Sequence, residues 1–355
     1  MKKHLPTLAL TMLLAACQSA TVQTETAAET VPPVPTHQTH LDAQYIGQGL
    51  LTRPDVQRFI SQRVARGGFS RPELEVFFGN VEQKPNIISI MDRPGTSRPW
   101  YEFRQNNVSG SRIQNGDRFW RNNVAVIDAV SQRYGVPSEL IVAIVGIETN
   151  YGSNMGSFRL GDSLTTLAFS YPRRAEFFQK ELDQFLQLAH EEKQDMFTFK
   201  GSYAGAMGMP QFMPSSYRQW AVDWDGDGHR DIWNNVGDVA ASVANYMKQH
   251  GWQTGAPMAV PVQLNITPEL QALLDAKTEL NHTVGDFRRL GVQVPGHVAD
   301  REKALLYQLE IAPGQYQYWL GLNNFYTVWQ YNHSRMYVSA VREIANGLRG
   351  GNGGL

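Results

Sequence analysis

The sequence has a single cysteine, Cys17, in 355 residues. An intrachain disulfide is thereby excluded, and so is a cysteine-rich metal site. No block of lysine or arginine stands out, and 32 basic residues face 33 acidic ones. A nucleic-acid partner is not expected from such a balance. The apolar run Leu5–Ala16 is too short to cross a bilayer as a helix. No internal repeat is evident. The composition, 42% hydrophobic and 18% charged, is that of a soluble globular protein. The length implies two or three subdomains.

The lone cysteine has a context. Lys2, Lys3 and His4 precede the apolar run, which ends Leu14-Ala15-Ala16-Cys17. Small residues just before a cysteine resemble a bacterial lipobox. On that reading residues 1–16 are a signal peptide, and Cys17 becomes the acylated first residue. At about 0.8 kcal/mol per buried CH₂, several acyl chains hold a protein firmly to a membrane. Gln18 after the cysteine is compatible, by the same resemblance, with sorting to the outer membrane. Residues 17–41, rich in Thr, Ala, Pro and Glu with few large apolar side chains, read as a disordered tether.

Helical periodicity begins at Asp55, with Val56, Phe59, Ile60 and Val64 on one face. Residues 42–118 read as a helical N-terminal domain in which 81–117 is mixed, because Pro85, Pro94 and Pro99 break regularity. Helices are expected over Ala125–Tyr134, Pro137 to about Thr149, Leu164–Glu192 with a break at Tyr171-Pro172, and Gly237–His250. Strand patterns follow in Val260–Leu264, Ala304–Ile311 and Tyr316–Leu320, with a helix over Pro268–Leu280 between the first two. They predict a small α+β insertion over 259–320. Residues 321–350 return to helix, and a Gly-rich tail ends the chain.

One acid demands an explanation. In AIVGIETNYG, Glu148 shares a helix face with Ile141, Ile144 and Val145. A buried carboxyl without a cation partner holds its proton toward neutral pH, which suits a general acid for glycosidic cleavage. A surface Glu at a frayed helix end fits that position equally well. Farther on, KGSYAGAMGMPQFMPSSY (200–217) combines small residues, which let a ligand approach the backbone, with hydrogen-bonding and aromatic side chains. Arg173 and Arg174 add two cations. Such a mixture suits a sugar chain.

GIETNYG, YPRRAEFF, GSYAGAMGMPQFMPSSY and QYNHSRMYVSAV, in this order, resemble the membrane-bound lytic murein transglycosylases of the B type. The likeness runs from about residue 42 to 348. It implies an α+β, mostly α fold: a lysozyme-like catalytic core over 119–258, the helical N-terminal part, and the small inserted α+β domain. It implies cleavage of the β-1,4 bond between N-acetylmuramic acid and N-acetylglucosamine without water. The muramoyl O6 attacks C1, with Glu148 as acid and then base. By motif match, Ser202 would bond the muramoyl N-acetyl group, and Gln211, Phe212 and Tyr246 would line sugar subsites. Arg173 and Arg174 would face the peptide or lactyl carboxylate. Tyr331, Asn332 and Tyr337 would close the cleft beside Glu148. Phe177 stands where some relatives carry tyrosine, keeping a stacking face without a hydrogen bond. The partners implied are peptidoglycan glycan strands, a membrane reached through the lipid anchor, and cell-wall synthesis or remodelling proteins. A hydrolytic muramidase, a non-catalytic peptidoglycan-binding lipoprotein and a structural calcium-binding lipoprotein are the competing readings.

Asp223-Trp-Asp225-Gly-Asp227-Gly-His229-Arg-Asp231 matches the first part of an EF-hand calcium loop, with acids at positions 1, 3, 5 and 9 and Gly at 6. Position 12 is Asn234 rather than Glu. The family has a stretched loop of this kind, so the resemblance implies structural Ca²⁺ held by Asp223, Asp225, Asp227, the His229 carbonyl and Asp238, with Asp231 acting through water. No organic cofactor is expected.

Overall fold

The computed structural model describes residues 49–92 and 98–350. The signal peptide, Cys17 and the tether lie outside them. Helix α1 (Pro54–Ala65) buries Val56, Phe59 and Ile60, and left-handed Gly67 and Gly68 end the run. Ser70 starts α2 (Arg71–Asn80) with a capping box closed by Glu73, which satisfies two otherwise orphaned N–H groups.

Residues 81–117, expected to be mixed, are largely helical among the described positions. Helices α3 (Pro85–Met91), α4 (Trp100–Asn107) and α5 (Gly110–Asn122) fill the stretch. Pro85 is the first residue of α3, and Pro99 is the residue before α4. At those places a proline costs no helical hydrogen bond, so it starts a helix where it was read as a break.

The helices α6 (Val124–Tyr134), α7 (Ser138–Thr149), α8 (Leu160–Ser170), α9 (Ala175–Glu191), α10 (Pro214–Trp220) and α11 (Val236–Gln249) form the centre of the molecule. Gly135 closes α6 in the left-handed conformation, where glycine carries no Cβ penalty. Leu140 to Val145 are buried without a break. A helix apolar on every side belongs inside a core, and α5, α6, α11 and α15 (Arg335–Leu348) surround α7. A two-residue ribbon, β1 (Phe158–Arg159) with β2 (Lys200–Gly201), pins the loop that follows α9.

Next come β3 (Ala259–Val262), α12 (Pro268–Asp275), β4 (His282–Thr283), α13 (Val284–Arg289), β5 (Lys303–Ala312) and β6 (Gln315–Gly321). The strands form one antiparallel sheet in the order β3-β6-β5-β4. Helix α12 stops at Asp275, short of Leu280, because the chain turns extended at Ala276. Strand side chains alternate between faces, and here both faces are buried. Ala304 and Leu306 of β5 join Val260, Leu270, Phe287 and Leu320 in a separate small core. Leu305, Tyr307 and Leu309 join the main core. Helix α14 (Asn323–Tyr331) then leads back to α15.

Candidate active site

Glu148 sits one residue before the end of α7, and its side chain is half-buried. Its Oε1 accepts a hydrogen bond from Tyr337 Oη at 2.6 Å. Burial raises the Glu148 pKa to about 7, and the hydrogen bond from Tyr337 pulls it partly back. Neither influence is another carboxylate. Burial, reinforced by the charge of Glu148, pushes the Tyr337 phenol well above its ordinary range, so Tyr337 remains a donor at every working pH. Ser334 fixes the backbone of Tyr337: its Oγ accepts from the Tyr337 N–H at 3.2 Å, at the start of α15.

The end of α7 is held in an unusual way. Asn150, Tyr151 and Gly152 are all left-handed, with φ of 48°, 60° and 84°. For a tyrosine this conformation costs roughly 1–2 kcal/mol. Tyr151 is repaid by a slot. A Cβ at Gly146 would lie 2.4 Å from Tyr151 Oη, and one at Gly116 would lie 2.3 Å from it. The phenol fits because both positions are glycine, and it donates to the Arg112 carbonyl at 2.9 Å. Thr149 ties the same turn to the neighbouring loop: its Oγ1 donates to the Met209 carbonyl and accepts from Gly152 N, each at 3.0 Å. Sequence reasoning passed over Tyr151 and Thr149. The available signal was Gly146, a helix-interior glycine that costs about 1 kcal/mol against alanine unless something needs the space.

The loop over 200–217 folds back on itself. Ser202 Oγ accepts from Ala206 N at 3.0 Å, and Met207 pairs with both Gly201 and Phe212. Gln211 has φ of 51°, and its side-chain amide donates to the Gly208 carbonyl at 2.9 Å and the Met155 carbonyl at 3.2 Å. Phe212, Tyr246 and Tyr331 form an aromatic cluster with centroids 4.8 to 5.9 Å apart. All three are buried. Tyr331 Oη donates to the Pro210 carbonyl at 2.5 Å, and Tyr246 Oη to the Gln330 carbonyl at 2.9 Å. Phe212 and Tyr246, expected to line sugar subsites, have their rings buried against each other and Tyr331, where α11, α14 and the loop meet. Ser202, Gln211 and Asn332 are half-buried.

Arg173 and Arg174 occupy a different neighbourhood. Arg173 is exposed and pairs with Asp92 at 3.3 Å. The Arg174 guanidinium lies 4.3 Å from the ring centroid of half-buried Phe177 and 5.0 Å from that of Phe178. Burial lowers its pKa to about 10, against the pull of Tyr171 and Glu181.

In the loop between α10 and α11, Asp223, Asp225 and Asp227 each bring one carboxylate oxygen within 4.8 Å of the others. Asp223 accepts from Gly226 N at 2.7 Å and Gly228 N at 2.9 Å. Asp227 Oδ1 accepts from His229 N at 2.8 Å. Three converging hard oxygen ligands fit a calcium ion. Asp238, the fourth carboxylate expected at this site, lies outside that cluster of three. It is fully buried in α11, and its two oxygens accept from Trp224 N at 2.8 Å and Asp231 N at 2.7 Å. It braces the loop from within. Asp231 Oδ1 accepts from Trp233 N and Asn234 N, each at 2.9 Å.

Residues 52–346 match the model of the transglycosylase SLT domain. The chain belongs to the lytic murein transglycosylase family. This transglycosylase is 37% identical to membrane-bound lytic murein transglycosylase B of Escherichia coli K12, over 98% of both chains. It is similar to the structure of Escherichia coli lytic transglycosylase Slt35 in complex with calcium, with a TM-score of 0.75 and 37% identity over 84% of this chain and 93% of that one. SltB3 from Pseudomonas aeruginosa, solved in complex with NAG-anhNAM-pentapeptide, matches with a TM-score of 0.74 and 32% identity over 87% of this chain and 82% of that one. The lysozyme-like, mostly helical fold is shared with these relatives.

Proposed function

We propose that the enzyme cleaves the β-1,4 bond between N-acetylmuramic acid and N-acetylglucosamine in peptidoglycan without water, with Glu148 as its catalytic residue. The observation that carries the reading is the Glu148 carboxyl itself, with a pKa near 7 and a 2.6 Å hydrogen bond from Tyr337. Because Tyr337 donates to Oε1, the acid proton belongs on Oε2, from which it passes to the glycosidic oxygen as the C1–O bond breaks. The resulting carboxylate then takes the proton of the muramoyl O6 hydroxyl as O6 bonds to C1. One carboxyl serves both steps because the nucleophile is part of the substrate. The anhydromuramoyl ligand of the Pseudomonas relative is the product expected of this route.

The test is mass spectrometry of products from purified peptidoglycan. Muropeptides lighter by one water, and inert to borohydride at the muramoyl end, are expected. Glu148→Gln should yield none while still binding glycan. Reducing-end products would instead make the enzyme a hydrolase.

Ser202 and Gln211, with Asn332, are assigned to glycan contacts, and Arg174 to an anionic group of the substrate. Phe177, stacked under Arg174, orients that cation. The calcium loop is assigned a structural role, with Asp223, Asp225, Asp227 and the His229 carbonyl as ligands. Calcium in the related Slt35 structure supports this. Attachment to the periplasmic side of the outer membrane through acylated Cys17 is the reading of the N-terminus, supported by the membrane-bound name of the Escherichia coli relative.

A further inference from the structure

Within QYNHSRMYVSAV, Tyr331 and Tyr337 have packing and hydrogen-bonding roles near Glu148, whereas Arg335 bonds to the turn at 274–278. It is the first residue of α15, two before Tyr337. Its guanidinium spends three donors on one turn of the inserted domain. Nη1 donates to the Leu274 carbonyl at 2.9 Å, Nη2 to the Ala276 carbonyl at 2.6 Å and Nε to Thr278 Oγ1 at 2.8 Å. These acceptors lie at and just beyond the end of α12, where carbonyls have no helical partner. A planar fork with several fixed donors suits them, and a single ammonium does not. The guanidinium is half-buried. On its own helix, the Arg335 carbonyl accepts from Ser339 Oγ at 2.8 Å, and Ser334 caps Tyr337. The first turn of α15 is therefore fastened on one side to the inserted domain and on the other to the carboxyl of Glu148.

We propose that Arg335 is a positioning residue, through which the turn at 274–278 of the inserted domain sets the hydrogen bond from Tyr337 to Glu148. This gives the insertion a part in catalysis, and it rests on the reading of Glu148 as the acid. If the clamp is loosened, the first turn of α15 shifts and Tyr337 holds the carboxylate less well. A weaker bond to the charged form leaves the pKa of Glu148 higher. The free enzyme must carry the proton on Glu148, so the alkaline limb of kcat/KM reports that group. That limb should move to higher pH.

The experiment uses the full chain in detergent with soluble uncross-linked peptidoglycan strands, and measures kcat and KM across pH for four variants. Tyr337→Phe sets the scale, with an upward move of about one pH unit. Arg335→Gln is expected to move the limb in the same direction and to lower kcat about tenfold with KM nearly unchanged, as misplacement of a catalytic group does. Thr278→Val removes one acceptor on the inserted domain and should give a smaller move of the same sign. Arg335→Gln with Tyr337→Phe should go no further than Tyr337→Phe alone, because the two act through one bond. If Tyr337→Phe moves the limb while Arg335→Gln and Thr278→Val leave it at the wild-type position, the proposal is overturned and the Glu148 reading stands. If Tyr337→Phe leaves it unmoved, the bond does not set the limb and the proposal is overturned, while the Glu148 reading is judged separately by whether Glu148→Gln abolishes turnover.

Discussion

A carboxyl whose pKa is lifted by burial makes folding depend on pH. The folded value for Glu148 is about 7, against 4.5 for the free side chain. Its proton therefore contributes stability that is fully present below about pH 4.5 and is lost as the pH rises through 7. Glu148→Gln removes the titration and keeps the oxygen that Tyr337 needs. The variant should match the wild type in acid and exceed it above pH 7 by up to about 3 kcal/mol. Thermal melts of both proteins at pH 5 and pH 8 will decide; a gap that does not widen with pH would contradict the burial of the charge. Much of this was legible in the sequence, because an acid closing an apolar helix face is conspicuous. The phenol of Tyr337 was placed beside it by motif match, whereas its hydrogen bond comes from a helix 189 residues away in sequence, a contact no local pattern encodes.

At the scale of elements, the end of α7 depends on the missing side chain at Gly146. Alanine there would gain roughly 1 kcal/mol of helix propensity but would set a Cβ 2.4 Å from Tyr151 Oη. Gly146→Ala is expected to lower stability by about 2 kcal/mol and activity more than tenfold, since Tyr151 must leave the slot and the turn after Glu148 must re-form. A melt with an activity assay checks it, and a variant as active and stable as the parent would remove the slot from the account. The loop between α10 and α11 offers a second test. Three acids within 4.8 Å repel one another without a cation, so chelation should lower the melting temperature and added calcium should restore it. An unchanged melt would end the calcium assignment. Helix positions were mostly legible from periodicity and caps. The error over 81–117 arose because a proline at a helix start and a proline in a loop look alike in one dimension. Asp238 stands apart from the other acids of the loop. Spacing placed it near the loop, and its burial in α11 with backbone N–H groups of the loop on both oxygens is a feature that no linear pattern encodes.

For the whole molecule, the question is how the enzyme is held at a membrane. Among the described residues no helix is long and apolar enough to cross a membrane. On the proposed reading of the N-terminus, Cys17→Ala should convert a membrane-fraction protein into a soluble one with its cleavage activity intact. Continued sedimentation with membranes would point to another anchor.

Strand β5 sends alternate side chains into two cores. An insertion usually suggests a module that could be cut out and its ends rejoined. Here the graft carries part of its host's interior: Tyr307 and Trp319, both in the main core, sit opposite each other on β5 and β6. Excision would open the catalytic half as well as shorten it.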